Sequence, residues 1–332
     1  MFNVRRRELI TLLGAAATWP LAARAQRADQ KRRLGVLMSF GESDASARSM
    51  LQGFQGAFAQ LGWIEGKSLQ TEIRWAAGNA EKMKAFAREL IEFRPDAILV
   101  QGTVAAGSLV HETRTIPIVF VNIADPISSG LVASVAHPGG NVTGFMTDLS
   151  AQGGKWVDLL REIAPRTKRI ALLSNPETGP SLQMFMPSIQ AAASSFGIEA
   201  RVARVQAKEE IEGIIAAQAK DPGGGLVVTP AAFHTVHRDL IIALAAQYRL
   251  PAVYYERAFA DSGGLIAYSP DYSEHFRGAA PYTDRILKGA NPGDLPVQIN
   301  TKFELVVNSK TATTLGLTIP QTLLVSANEV IE

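Results

Sequence analysis

The 332-residue chain is 47% hydrophobic and 19% charged, with 28 Gly, 17 Pro and no Cys, too apolar for a disordered chain and too charged for a multi-span membrane protein. Its length suggests about two domains, and the lack of Cys excludes a disulfide scaffold, a thiolate nucleophile, a Cys-ligated metal centre and a lipid anchor on an N-terminal Cys. The formal charge of +2 comes from the first 25 residues; without them 29 basic groups face 30 acidic ones, so the body offers no electrostatic footprint for nucleic acid or an anionic membrane.

Residues 1–25 read as an address. Arg5, Arg6 and Arg7 precede the short apolar run of residues 9–17, and Ala23-Arg24-Ala25 forms an A-x-A cleavage pattern with Gln26 as the mature start. Arg6-Arg7-Glu8-Leu9-Ile10 resembles a twin-arginine signal, the route taken by proteins exported already folded, with an ordinary secretory signal as the alternative. No later segment reaches the ~18 uncharged apolar residues of a membrane helix. A soluble periplasmic protein is expected.

The body alternates strand and helix. The apolar run 34–38 predicts a buried strand. Met50, Phe54, Phe58 and Leu61 mark one face of a helix stopped by Gly62. A strand over 69–75, a helix over 81–94 and a strand over 97–100 follow. Next come a helix over 104–112, a strand over 116–123, a helix over 128–136, the turn Pro138-Gly139-Gly140-Asn141 and a strand over 142–146. The alternation then repeats. Helices are predicted over 151–163, 187–196, 209–219, 234–248 and 272–288, the last kinked at Pro281. Strands are predicted over 170–173, 198–205, 226–229, 252–255 and 265–268. Strands separated by single helices indicate α/β architecture with parallel sheets. Two doubly wound parallel-sheet lobes fit about ten strands better than a closed eight-fold barrel, the main alternative.

In such sheets a ligand sits beyond the carboxyl ends of the strands. Those ends carry hydroxyls, amides and aromatic rings, including Ser39, Thr103, Asn122, Asp125, Ser174, Asn175, Thr229, Tyr254 and Tyr268. Acid–base pairs are nearly absent there, which suits solute binding rather than catalysis. The stretch 102–108 mimics a phosphate loop but has Ser108 where a Lys must stand. His234 and His237 could share a helix face, yet no third metal ligand is evident. Asp125 reads equally as a ligand for an amine or as the cap of the helix over 128–136. Trp63 and Trp75 read as core. Neither a cofactor nor a metal is expected, and the chain is read as a non-enzyme.

Several segments together carry a resemblance. They are the leader with Trp19-Pro20-Leu21-Ala22-Ala23-Arg24-Ala25-Gln26, the block 116–134, the signature Pro138-Gly139-Gly140-Asn141-Val142-Thr143-Gly144, Ile286-Leu287-Lys288-Gly289 with Asp294-Leu295-Pro296-Val297, and the closing stretch 302–320. In this order and spacing the chain resembles the ABC transporter substrate-binding family that includes tryptophan-binding proteins. The resemblance implies a type I periplasmic-binding-protein-like fold, with lobes joined by a three-stranded hinge. It implies a first lobe of 31–147 plus 270–297 and a second of 148–269, leaving 298–332 unassigned, with crossovers near 146–149, 268–271 and 296–302. It also implies delivery of a small-molecule ligand to ABC permease subunits with a separate ATPase, by a monomer that closes about its hinge. Carried over by position, Ser39, Thr103, Asn122 and Asp125 form one cleft edge. Ser174, Asn175, Thr229 and Tyr254 form the other, with Tyr268 near a crossover. Amino-acid-binding members tend to show Thr-Asp where this chain has Thr229-Pro230, so one ammonium partner is missing. The solute is then an aromatic or other amino acid, or a neutral or anionic organic molecule. A ligand sensor feeding a membrane receptor and an exported α/β enzyme are the rival readings.

Overall fold

The computed structural model describes residues 31–149 and 151–332; the leader lies outside them. In chain order the first lobe comprises β1 (Arg32–Met38), α1 (Ala45–Gln60), β2 (Leu69–Trp75), α2 (Ala80–Glu92), β3 (Ala97–Gln101), α3 (Thr103–Glu112), β4 (Ile118–Ile123) and β5 (Val142–Thr147). The second lobe follows with α4 (Gln152–Ile163), β6 (Arg169–Ser174), α5 (Leu182–Ser195), β7 (Glu199–Arg204), α6 (Glu210–Ala219), β8 (Gly224–Val228), α7 (Ala232–Val236), α8 (Arg238–Gln247), β9 (Ala252–Tyr254), α9 (Arg257–Asp261) and β10 (Ile266–Pro270). The chain returns to the first lobe for α10 (Tyr272–Leu287) and β11 (Gln298–Asn300). It ends in the second with β12 (Phe303–Asn308), α11 (Ser309–Thr314), α12 (Gln321–Ser326) and β13 (Glu329–Ile331).

The strand orders are β2-β1-β3-β4-β5-β11 and β7-β6-β8-β9-β10-β12-β13. All pairs are parallel except β10 with β12. The first five strands of each sheet share one winding, which reverses between β1 and β3 and again between β6 and β8. Two open sheets exclude the closed barrel. Central strands β3 and β8 are buried along their whole length, whereas the edge strand β7 is largely exposed, as expected for sheets covered on both faces. Each sheet has its own core, one around Leu37, Phe54, Phe120 and Phe276, the other around Trp156, Phe185, Val227 and Phe259. Trp63 and Trp75 pack against the first.

Three connections join the lobes: Thr147 to Gln152, Pro270 to Tyr272, and Asn300 to Phe303. The last two are braced, since Asp271 N–H donates to the Lys302 carbonyl at 3.2 Å and Asn300 Nδ2 donates to the Asp271 carbonyl at 3.0 Å. Residues 303–332 complete the second lobe.

Three local expectations fail for identifiable reasons. No helix forms over 128–136; the segment is a string of turns. Asp125 Oδ1 accepts from Ile127 N and Ser128 N, Gly130 adopts φ +69°, and Ser134 exchanges hydrogen bonds with His137. These local side-chain bonds outcompete the helix that the apolar spacing suggests. The helix over 234–248 is two helices, α7 and α8, meeting at His237. Pro187 lies inside α5 rather than at its start.

Candidate functional site

At the switch point of the first sheet, β1 and β3 are stitched end to end. Ser39 N–H donates to Gln101 Oε1 at 3.0 Å, and Ser39 Oγ donates to the Gln101 carbonyl at 2.5 Å. Gly102 follows with φ +91°, and a Cβ there would lie 2.8 Å from Ser39 Oγ, so the tight entry into α3 requires glycine. Gly102 is the N-cap of α3 and supplies no side-chain cap.

Asn122 reaches the same place through a bulge. The β4–β5 register shifts between Phe120 and Ile123, and Asn122 takes φ +57°. Its N–H donates to His275 Nδ1 at 3.2 Å, and His275 Nε2 lies 3.3 Å from Thr147 Oγ1. Its side-chain Oδ1 is buried without a hydrogen-bond partner.

The second lobe supplies two loops. Asn175 Oδ1 accepts from Thr178 N and Thr178 Oγ1, both at 2.8 Å, and its Nδ2 donates to the Val205 carbonyl at 3.0 Å. This folds 175–181 against the sheet end. Thr229 Oγ1 donates to the Leu173 carbonyl at 2.7 Å, while the Thr229 carbonyl accepts from His234 Nδ1 at 2.7 Å. Residues 230–232 leave β8 held by Tyr255, whose hydroxyl donates to the Ala231 carbonyl at 3.0 Å.

These parts enclose a cavity between the lobes with about 680 Å³ of empty space, its mouth included. The first lobe contributes Ser39, Phe40, Met83, residues 101–104, residues 122–124 and Tyr272. The second contributes residues 178–181, residues 230–232 and Tyr255, and the hinge contributes Thr147 and Leu149. Apolar rings and a few oriented polar groups make a site for a small organic molecule.

Of the nine residues expected from the strand ends, Ser39, Thr103 and Asn122 line this cavity. Asp125 does not; it caps the turn that replaces the expected helix. Burial works to raise its carboxyl, but hydrogen bonds from Ser128 and Ile127 bring it below its ordinary value. Asn175 and Thr229 stand behind the lining and hold the loops that form it. Ser174 is buried at the end of β6, where its carbonyl accepts from Val205 N. Tyr254 stacks on Phe259 in the core, 4.9 Å between centroids, and Tyr268 stacks on Phe303 at 5.2 Å. Tyr255, one residue on, faces the cavity where Tyr254 was expected. Successive strand side chains point to opposite faces, so a one-residue misplacement selects the wrong ring. Tyr272 and the 178–181 loop were not anticipated. A loop just before an apolar-faced helix is the signal that could have flagged Thr178 to Ser181.

Beside the cavity the lobes touch directly. Arg238, opening α8, donates from its terminal nitrogen to Asp44 Oδ2 at 2.9 Å, and both side chains are nearly buried. A Cβ on Gly78 would meet the Ala232 carbonyl at 3.0 Å. Behind this contact Glu256 Oε2 accepts from Thr235 Oγ1 at 3.0 Å, and its other oxygen is buried without a partner. Burial pushes the Glu256 carboxyl up to about 7, reinforced by the nearby Asp44 charge.

Burial pushes His234 and His275 down to about 4. Their unfolded value is near 6.5, so their contribution to stability is complete above pH 6.5 and lost as pH falls toward 4. Glu256 acts oppositely: its contribution is complete below pH 4.5 and lost as pH rises toward 7. Between these limits the three histidines lowered by burial, His234, His275 and His237, oppose one carboxyl. Urea unfolding is expected to show stability falling on acidification from 6.5 to 4.5. Glu256→Gln should steepen that fall; an unchanged slope would contradict the assignment.

Among the described residues no group of acidic, His or Cys side chains is placed to hold a metal, and no helix is long and apolar enough to cross a membrane.

Comparison with known proteins matches this architecture. A curated tyrosine-binding protein of Clostridioides difficile is 23% identical over 299 residues, spanning 88% of this chain and 84% of the relative. A conserved domain protein of Vibrio cholerae is 27% identical, covers 91% of this chain and all of its own, and superposes with a TM-score of 0.83. A domain from Streptococcus pneumoniae solved with L-Trp is 24% identical, with the same coverage and a TM-score of 0.82. Residues 37–331 match the family described as ABC transporter substrate binding protein, and with its two type I periplasmic-binding-protein-like lobes this chain belongs to that family.

Proposed function

We propose that the chain is the extracytoplasmic receptor of an ABC importer, which clamps one small organic solute between its lobes and releases it unchanged to permease subunits served by a separate ATPase. The observation that carries this reading is the cavity itself. Its walls come from the strand ends of both sheets, and an ion pair between the lobes stands beside it. A solute touching both walls binds the closed arrangement better than any open one and so shifts the population toward it.

The three connections between the sheets supply the hinge, dividing the chain into 31–147 with 270–300 and 148–269 with 303–332. Ser39, Thr103, Asn122 and Tyr255 contact the solute directly, and Asn175 and Thr229 hold the walls. Export through the leader, cleavage at Ala25-Gln26 and action as a monomer complete the reading. Twin-arginine export suits a protein whose site needs both lobes folded together. The relatives' tyrosine and tryptophan support a solute of aromatic amino-acid size.

Native mass spectrometry of protein purified from its own host tests the proposal. One small molecule per chain, lost on unfolding, is expected. A protein that carries none, and that a broad solute library never stabilises in thermal-shift assays, would contradict it.

A further inference from the structure

The cavity wall is uncharged among the described residues. It includes no Asp, Glu, Lys, Arg or His. The tyrosines Tyr255 and Tyr272 are pushed far up by burial and stay neutral. None of the surrounding carboxylates lines the cavity, although Glu256 keeps one buried oxygen without a partner. Asp44 pairs with Arg238, Asp125 caps its turn, and Glu256 bonds Thr235 and faces a separate hollow behind Tyr272. Asp148, next to Thr147, is exposed and outside the lining. Pro230 lies in the wall just beyond Thr229, so a carboxylate introduced at this position would add a negative charge to the lining.

Closing the lobes strips water from whatever is bound. A desolvated ammonium is tolerated only with a negative partner, since an uncompensated buried charge is costly. Asn122 Oδ1 is one unpartnered neutral acceptor; it satisfies a single donor without cancelling a full charge. A carboxylate has no such difficulty. The positive ends of α3 and α5 border the cavity, and neither carries a side-chain cap.

Resting on the clamp reading above, we infer that the solute carries no ammonium group and is a compact neutral or carboxylate-bearing molecule, chemically a des-amino counterpart of the aromatic amino acids. The uncharged wall selects against the zwitterion, and Pro230 is the residue that sets this choice.

Calorimetry at pH 7.5 on the mature protein with three matched pairs tests it: L-tryptophan against indole-3-propionate, L-tyrosine against 3-(4-hydroxyphenyl)propionate, and L-phenylalanine against 3-phenylpropionate. The des-amino member is expected to bind at least tenfold tighter in any pair that binds, and Pro230→Asp should reverse the order. An amino acid that binds tighter to the unaltered protein would overturn the inference. The solute released from host-purified protein gives a second readout independent of any variant: a molecule without a basic nitrogen supports the inference, and one with an ammonium overturns it. An ammonium-bearing solute that nonetheless draws the lobes together would sink the charge rule and leave the clamp reading intact. Bound solute without lobe movement would sink the clamp reading instead.

Discussion

Asp44→Asn is expected to weaken solute binding by about 30-fold or more while leaving thermal stability close to that of the unaltered protein. The two oxygens of this carboxylate do different work. Oδ1 accepts from Ala47 N at 2.8 Å and caps α1, within the first lobe; Oδ2 pairs with Arg238 across the lobes. Asparagine keeps a cap acceptor and removes the charge. On the clamp reading proposed above, the closed arrangement alone would hold Arg238 in this contact, and its loss would then penalise closure rather than folding. Truncating one member of a buried, hydrogen-bonded pair costs roughly 2–5 kcal/mol. Both side chains retain slight solvent access, 14% and 11%, which argues for the lower end, ~2 kcal/mol, or about 30-fold. Neighbouring Asp239 offers little compensation, being 3.7 Å from Arg238 Nε and 89% exposed. Calorimetry beside a melting curve checks this. Affinity within threefold of the parent, or a melting temperature that falls in step with affinity, would show that the pair is not a closure contact.

Gly144→Ala is expected to cost on the order of 4 kcal/mol or to abolish folding. A Cβ at this position would lie 2.1 Å from the Phe120 carbonyl oxygen and 2.7 Å from its ring. The clash is with backbone, which cannot swing aside as a flexible side chain would. Overpacking in a tight core costs ~1–3 kcal/mol where neighbours can shift, and larger values mark sites where they cannot. The position also matters to the cavity. Phe120 begins the β4 bulge that places Asn122, so a variant that survives should lose solute affinity along with stability. Urea denaturation measures the first effect and calorimetry the second. A cost under 1 kcal/mol would mean that the β4–β5 pairing is looser than this packing implies.

The same glycine explains why one short segment was so recognisable in the sequence. In residues 138–144, Gly139 and Gly140 adopt φ +65° and +82°. Asn141 Nδ2 donates to the Ile116 carbonyl, Thr143 Oγ1 donates to the Leu295 carbonyl at 2.6 Å, and Gly144 admits Phe120. Each residue type answers a distinct backbone demand. Continuous apolar runs likewise exposed the central strands, and their carboxyl ends led directly to Ser39, Thr103 and Asn122. What stayed hidden depended on parity and long-range contact. The run 252–255 does not say where β9 ends, so it could not tell Tyr254 from Tyr255. The loop 178–181 has no periodicity, and its place depends on Asn175 and on the close approach of Gly179 to the Pro230 carbonyl. The spacing of Leu131, Val132 and Val135 imitates a helix, but Gly130 and the local Asp and Ser side chains settle that segment as turns. The Asp44–Arg238 pair joins residues 194 apart in sequence, a distance over which no local pattern speaks.

The clamp is tested most directly by measuring the distance between the lobes. The chain contains no Cys, so cysteines introduced at the exposed positions Glu42 on the first lobe and Lys208 on the second would carry the only spin labels. Pulsed electron resonance with and without a saturating amount of the tightest ligand found by calorimetry should show a broad, longer distribution in the free protein. With ligand bound, that distribution should collapse to a single shorter distance. Identical distributions in the two samples, with calorimetry confirming that the ligand is bound, would contradict the account.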